Sequence, residues 1–272
     1  MVNAAGRDGP VRAAVVIIAV LSAGCGVLPD SAPAGEALPA PLMRHVLLPD
    51  ISGASAGVQE RIGRAYAQLE DARAARASDN ALATRYGGIG NLFLATGYFA
   101  SAITAYDNAR LLAPLESRWA YYLGHGYRHQ GDVQAAMVAF NRALQMDPDY
   151  PPARVWLAET SLHAGRPELA RLAFTSALSL QPNLSAALFG MGRTALEQRD
   201  YAAAADYLTR ALAQDADAAA IHYPLAMAYR GMGDMTRAEA HLRQRGNELP
   251  EISDPWMDAI ARLLREMQQA SR

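Results

Sequence analysis

The chain has 272 residues, 51% of them apolar, and a formal net charge of −2. This length suits one or two globular domains or one medium solenoid, and the near-neutral balance argues against nucleic acid, which demands a basic face. All 25 basic residues are arginine, which excludes lysine Schiff bases and a P-loop lysine, and the single cysteine, Cys25, excludes an internal disulfide, a CxxC redox pair, haem attachment and a cysteine zinc site.

The amino terminus comes first in chain order. Arg7 and Arg12 give a weakly positive start, followed by the apolar run AAVVIIAVLSAG at 13–24. That run is too short for a comfortable membrane span and ends in small residues, so residues 1–24 read as a signal peptide. The SAGC junction resembles a bacterial lipobox, although Ser22 stands where leucine is usual and Leu21 lies one place earlier. The resemblance implies lipidation of Cys25; the alternative is an ordinary signal peptide with an incidental cysteine. Gly26 follows the cysteine in place of the aspartate that retains lipoproteins in the inner membrane, which points to the outer membrane, facing the periplasm. More than one acyl chain would make that anchor firm. Residues 25–54 then turn rich in Pro, Ala and Gly, with prolines at 29, 33, 39, 41 and 49. They are expected to form a flexible tether reaching about 30 Å as a coil.

Residues 55–82 carry Val58, Ile62, Ala65, Leu69 and Ala72 at helical spacing, an N-terminal helix. Beyond it the chain repeats every 34 residues without insertion, at 83–116, 117–150, 151–184, 185–218 and 219–252. Position 8 of each repeat is small (Gly90, Gly124, Ala158, Gly192, Ala226), and position 20 is always alanine (Ala102, Ala136, Ala170, Ala204, Ala238). Position 24 is large and apolar (Tyr106, Phe140, Phe174, Leu208, Leu242), and position 15 is glycine except at Arg199. Position 32 is proline in all but one repeat, where Ala216 replaces it. The pattern resembles the tetratricopeptide repeat, which implies an all-α fold: an α-solenoid of five helix-turn-helix units with flanking N- and C-terminal helices. Pro224 would fall inside the first helix of the fifth repeat, so that helix is expected to start late, near His222, or to kink. Residues 253–272 begin with Asp254 and Pro255 as N-cap and first turn, followed by Trp256, Ile260, Leu263, Leu264 and Met267. They are expected to cap the apolar face of the last repeat.

In the family that the repeats resemble, positions 2, 5, 9, 12 and 13 of the first helices line a concave groove. The resemblance therefore places Asn91, Arg118, Tyr121, His125, Arg128, His129, Glu159, Phe189, Arg193, Tyr223 and Arg230 on a groove that binds a protein or peptide. Aromatic faces would supply affinity there, and arginine forks would read carboxylates or carbonyls. Tyr121, Phe189, Arg193 and Tyr223 are accordingly expected to tolerate alanine without loss of stability. Trp119 and Trp156 are expected to pack between neighbouring helices. The lysine-and-asparagine clamp that some family members use for a C-terminal carboxylate has no counterpart at Gly87, Asn91 and Tyr122, or at Tyr121, His125 and Trp156.

His125 and His129 lie one helical turn apart, as do Glu159 and His163 in the next repeat. Together they could form a four-ligand N/O site for zinc, copper or nickel. Against it, adjacent first helices lie about 10 Å apart, near the limit for bridging. No HExxH, GxSxG, Walker A or glycine-rich nucleotide loop is present, and no cofactor is expected. The reading is a non-enzymatic, lipid-anchored periplasmic scaffold supporting assembly of an envelope complex. The alternatives are an accessory subunit of a periplasmic redox or hydrolytic complex, or a metal-binding protein using the histidine cluster.

Overall fold

The structure, a computed structural model, describes residues 43–270. Cys25, the signal segment and the first part of the tether lie outside the described residues. Helix α1 (Ala56–Ala74) precedes five helix pairs: α2 (Asp79–Thr96) with α3 (Phe99–Leu112), α4 (Ser117–Gln130) with α5 (Val133–Met146), and α6 (Pro151–His163) with α7 (Pro167–Leu180). Then come α8 (Ser185–Glu197) with α9 (Tyr201–Gln214), α10 (His222–Gly231) with α11 (Met235–Arg243), and finally α12 (Pro255–Gln269). The described residues are thus all-α, a solenoid of five helix-turn-helix repeats with helices flanking it at both ends.

The turns inside the repeats follow from backbone sterics. Gly97, Gly131, Gly165 and Gly233 take φ of 84°, 80°, 66° and 83°, the left-handed geometry that ends a helix, and Arg199 is forced to 60° at the equivalent place. The next residue caps the second helix in three repeats: Asp132, Asp200 and Asp234 accept the backbone amides of Ala135, Ala203 and Arg237 at 3.0, 3.0 and 2.9 Å. Helix α10 begins at His222 after a 3-10 turn at Ala219–Ile221. Pro224 therefore sits in the first turn, where its missing amide costs no intrahelical bond.

Close packing explains the repeat columns. A Cβ placed on Gly90, Gly124 or Gly192 would come within 2.7, 2.5 and 2.4 Å of Tyr106, Phe140 and Leu208 respectively, the large residue at position 24 of the same repeat. The facing alanines Ala102, Ala136, Ala170 and Ala204 are fully buried. Trp119 does pack between neighbouring first helices: its ring fills the space over Gly87, 2.2 Å from where a Cβ would stand.

Two expectations need correction. The flexible tether expected over residues 25–54 does not extend that far: from Met43 onward the segment is docked. Asn108, wholly buried, accepts the Arg44 amide at 2.9 Å and donates to the Arg44 carbonyl at 2.6 Å. It pairs with that peptide unit much as a neighbouring strand would. Tyr66 donates to the Val46 carbonyl at 3.1 Å, and Ser101 to the Leu47 carbonyl at 3.3 Å. Arg44 pairs with Asp107, and Val46 is 3% exposed within the core. One buried valine and a side-chain amide that matches both backbone groups are what hold this stretch on α1 and α3.

The C-terminal helix does not lie over the fifth repeat. It packs on α1 and α2, at the opposite end of the solenoid, with Ile260 and Met267 buried. Residues 244–254 carry the chain back as a strap. Gly246 donates to the Ala219 carbonyl at 3.2 Å and the Ala220 amide to the Glu248 carbonyl at 3.0 Å, while the Glu251 amide reaches the Asp215 carboxylate at 3.0 Å. Ile252 then packs on the cluster that contains Val155 and Leu184. The fifth repeat keeps Tyr223, Met232 and Met235 half or more exposed.

Candidate functional site

The first helices α4, α6 and α8 form the face that the strap crosses. At its centre the residues Tyr121, Tyr150 and Trp156 converge on the carboxylate of Asp254, which is 3% exposed. Tyr150 donates to Oδ1 at 2.7 Å, Tyr121 donates to Oδ2, and Trp156 Nε1 donates to Oδ2 at 3.4 Å. The same Oδ1 accepts the Met257 amide at 3.1 Å, so Asp254 is at once the N-cap of α12 and the polar anchor of the strap. Pro255 follows at the first helical position. Trp256 stacks on Tyr150 with centroids 4.0 Å apart, and its ring lies edge-on to Tyr121 at 5.2 Å. Its carbonyl accepts the Tyr122 hydroxyl at 3.4 Å.

Electrostatics fit a carboxylate held by neutral donors. Burial is the main force that raises the Tyr121 and Tyr150 phenols far above the ordinary tyrosine range, and the Asp254 carboxylate adds to it. Burial likewise pushes Tyr122 up to about 12. All three stay protonated at neutral pH and act as donors. His125 is 1% exposed, among the rings of Tyr121, Phe140 and Trp156 at 4.7, 5.3 and 5.1 Å. Burial drives its pKa well below the ordinary value, with Arg128 and His129 adding to the effect, and its Nε2 has no hydrogen-bond partner among the described residues. The ring is neutral and cannot serve as a titrating acid or base near pH 7.

The groove residues fall into three groups. Tyr121 is buried against Asp254 and Trp256, His125 among Tyr121, Phe140 and Trp156, and Phe189 is 7% exposed beside the strap, so the burial of Tyr121 and Phe189 runs against the expectation that they tolerate alanine. The strap and α12 come from the same chain. A second group is tied to neighbours. Asn91 accepts the Tyr106 hydroxyl at 2.9 Å, Arg118 pairs with Glu116 at 2.9 Å, and Arg193 forks onto both oxygens of Glu159 at 3.0 and 2.8 Å. Arg128 lies over the Trp156 ring at 4.2 Å. Trp156 packs on His125 and Arg128 of the neighbouring α4, as expected, and its edge also lines this face. His129, Tyr223 and Arg230 are exposed, His129 with its ring stacked on Phe99. Beside the strap a pocket of about 220 Å³ remains between Arg128, Trp156, Glu159, Phe189, Arg193 and Ile252.

The histidine cluster is not assembled. His125 is enclosed by aromatic rings, and His129 stacks on Phe99 at 4.6 Å. Glu159 is engaged by Arg193, and His163 Nδ1 lies 3.3 Å from the Glu159 carbonyl. Among the described residues no three histidine, cysteine or acidic side chains come together to hold a metal ion. Sequence reasoning placed Asp254 only as a helix cap and left Tyr150 out. An aspartate followed by proline and tryptophan, opening the last amphipathic helix, was the visible signal for the first. Nothing local marked the second.

Family profiles described as tetratricopeptide repeat match residues 88–151, 127–191 and 195–263. The chain belongs to the tetratricopeptide-repeat family, whose domains bind protein or peptide partners. The crystal structure of MamA protein is similar to it, with 19% identity and a TM-score of 0.56 over 60% of this chain and 88% of that one. MamA 41-end from Desulfovibrio magneticus RS-1 has 16% identity and a TM-score of 0.56, covering 69% of this chain and 96% of its own. YrrB, a TPR protein with an unusual peptide-binding site, has 19% identity and a TM-score of 0.52, covering 68% of this chain and 92% of its own. At these identities the shared property is the fold. No curated protein matches the chain.

Proposed function

We propose that the protein is a non-enzymatic scaffold of the bacterial envelope, anchored through lipid on Cys25 to the outer membrane and facing the periplasm. Its repeats bind a protein partner across the face of the first helices and so support assembly of an envelope complex. The observation that carries the binding reading is the strap. A run of extended chain followed by a capped helix is already seated on this face through an aromatic wall and a buried carboxylate, as a peptide ligand would be. That YrrB is described as having a peptide-binding site agrees with the same use of the fold. The lipobox resemblance around Cys25 supports the anchor. No helix among the described residues is long and apolar enough to cross a membrane, so the described residues supply no spanning helix of their own.

Two measurements test this. Metabolic acyl labelling and envelope fractionation of the wild-type and Cys25→Ala proteins should show label and membrane association only for the wild type. Normal processing and fractionation of Cys25→Ala would refute the anchor. Affinity capture from solubilised envelope should recover a defined partner with the wild-type chain. Recovery that is unaffected by Arg193→Ala with Tyr223→Ala, two replacements outside the buried core, would move the working surface off this face.

A further inference from the structure

The strap describes what this face recognises. Helix α12 has 15 residues and lies on the repeats by one side: Ile260 and Met267 are buried, Trp256, Met257, Leu263 and Leu264 are half-buried against the same core, and the other side is open to water. The hydrogen bonds and ring contacts are concentrated at Asp254 and Trp256. A carboxylate in an aromatic wall is normally expensive, since desolvation disfavours the charge unless donors replace water. Here the wall supplies three neutral side-chain donors, Tyr121, Tyr150 and Trp156, and the helix itself supplies the Met257 amide. An amide or hydroxyl at that position would leave lone donors facing one another. Tyr150 then offers a stacking platform for Trp256, two residues after the aspartate, with ring centroids 4.0 Å apart. Proline between them fixes the turn from strap into helix at low entropic cost.

Building on the groove-binding reading above, we propose that this face takes in trans a partner protein helix opened by an aspartate N-cap, then proline, then an aromatic residue. Residues 244–269 are the resident copy of that ligand, which the partner displaces. The strap follows α11 directly, so the resident segment competes at an effective concentration of about millimolar or more, and a trans ligand meets a groove that is mostly occupied. The partner gains access by matching the buried aspartate and the stacked aromatic ring and by packing more apolar surface on α1 and α2 than α12 does.

The test uses the full chain and a fluorescent synthetic peptide with the sequence of residues 249–270. In fluorescence anisotropy, a chain carrying Asp254→Ala with Trp256→Ala should bind the peptide at least tenfold more tightly than the wild-type chain, because its own strap no longer competes. A peptide carrying Asp254→Ala should lose that binding at least tenfold. Circular dichroism establishes that the variant repeats are folded. Independently of any variant, excess peptide added to the wild-type chain should speed hydrogen exchange in α12 and leave α5 unchanged. Equal peptide affinity for both chains overturns the proposal, as does α12 exchange that excess peptide does not alter. Stable dimers that exchange the segment between two copies would replace the partner reading with self-association. Should the peptide arms fail while envelope capture still depends on Arg193 and Tyr223, in variants whose repeats circular dichroism shows folded, groove binding stands and only the ligand chemistry falls. Loss of both sinks the two together.

Discussion

Tyr121 and Asp254 are 133 residues apart in the chain and share one buried hydrogen bond at the middle of the face built by the first helices. That contact ties the second repeat to the start of the last helix. It also turns a ring that repeat periodicity assigns to an open groove into a core residue with a polar tip. Buried tyrosines ordinarily find such a partner for the hydroxyl.

Tyr121 should therefore be costly to remove. Tyr121→Ala vacates a fully buried site and is expected to destabilise by about 3–5 kcal/mol in chemical denaturation. Tyr121→Phe keeps the ring and deletes one donor to a carboxylate that retains Tyr150 and Trp156, so about 1–2 kcal/mol is expected. A loss under about 0.5 kcal/mol for Tyr121→Ala would mean that the strap does not cover this residue in solution.

Gly124 tests the repeat core. Its Cβ would stand 2.5 Å from the Phe140 ring, so Gly124→Ala is expected to cost about 1–3 kcal/mol through overpacking. Gly88 is the matched control, on the exposed side of α2 with nothing within 4 Å of its Cβ. Gly88→Ala is expected to stabilise by about 0.5–1 kcal/mol. Equal responses in thermal melts would show that the helix pairs are not packed as described.

The difference between these two glycines shows why the repeats were legible. Small residues facing large ones within a 34-residue unit are a local relationship, repeated five times, and periodicity exposes it. The strap is a single long-range event. Asp254 meets Tyr121, Tyr150 and Trp156 from 133, 104 and 98 residues away, and no repeat column records a contact made once. The docking of residues 43–54 escaped for a like reason. It rests on Val46 and on one asparagine, Asn108, whose amide matches a peptide unit 64 residues earlier. A proline-rich composition describes the average behaviour of such a stretch and is blind to a single anchor.

Arg199 holds a left-handed φ of 60° where the other repeats place glycine, and its side chain is exposed. A Cβ in that conformation costs roughly 1–2 kcal/mol, partly offset by the added freedom glycine gives the unfolded chain. Arg199→Gly is expected to stabilise by about 0.5–1 kcal/mol and raise Tm. A lower Tm would show that the arginine makes a contribution there that outweighs the strain.

The last prediction concerns pH. His125 is neutral in the folded chain because burial depresses its pKa well below 6.5, and Arg128 and His129 push in the same direction. Tyr121, Phe140 and Trp156, the rings packed against it, offer no negative charge to offset this. In the unfolded chain the same imidazole titrates near 6.5. Its contribution is thus fully present above that value. As pH falls below it, the unfolded state takes up a proton that the folded state refuses, and stability drops by up to about 1.4 kcal/mol per pH unit for this group. His129, His222 and His241 are also depressed, chiefly by burial, and add losses of the same sign. Denaturation midpoints should fall steadily from pH 7 to pH 5. His125→Leu removes the unpartnered Nε2 and should keep near wild-type stability at pH 7 while flattening the slope. An unchanged slope in His125→Leu would assign the acid sensitivity to the other three histidines and place position 125 in contact with water.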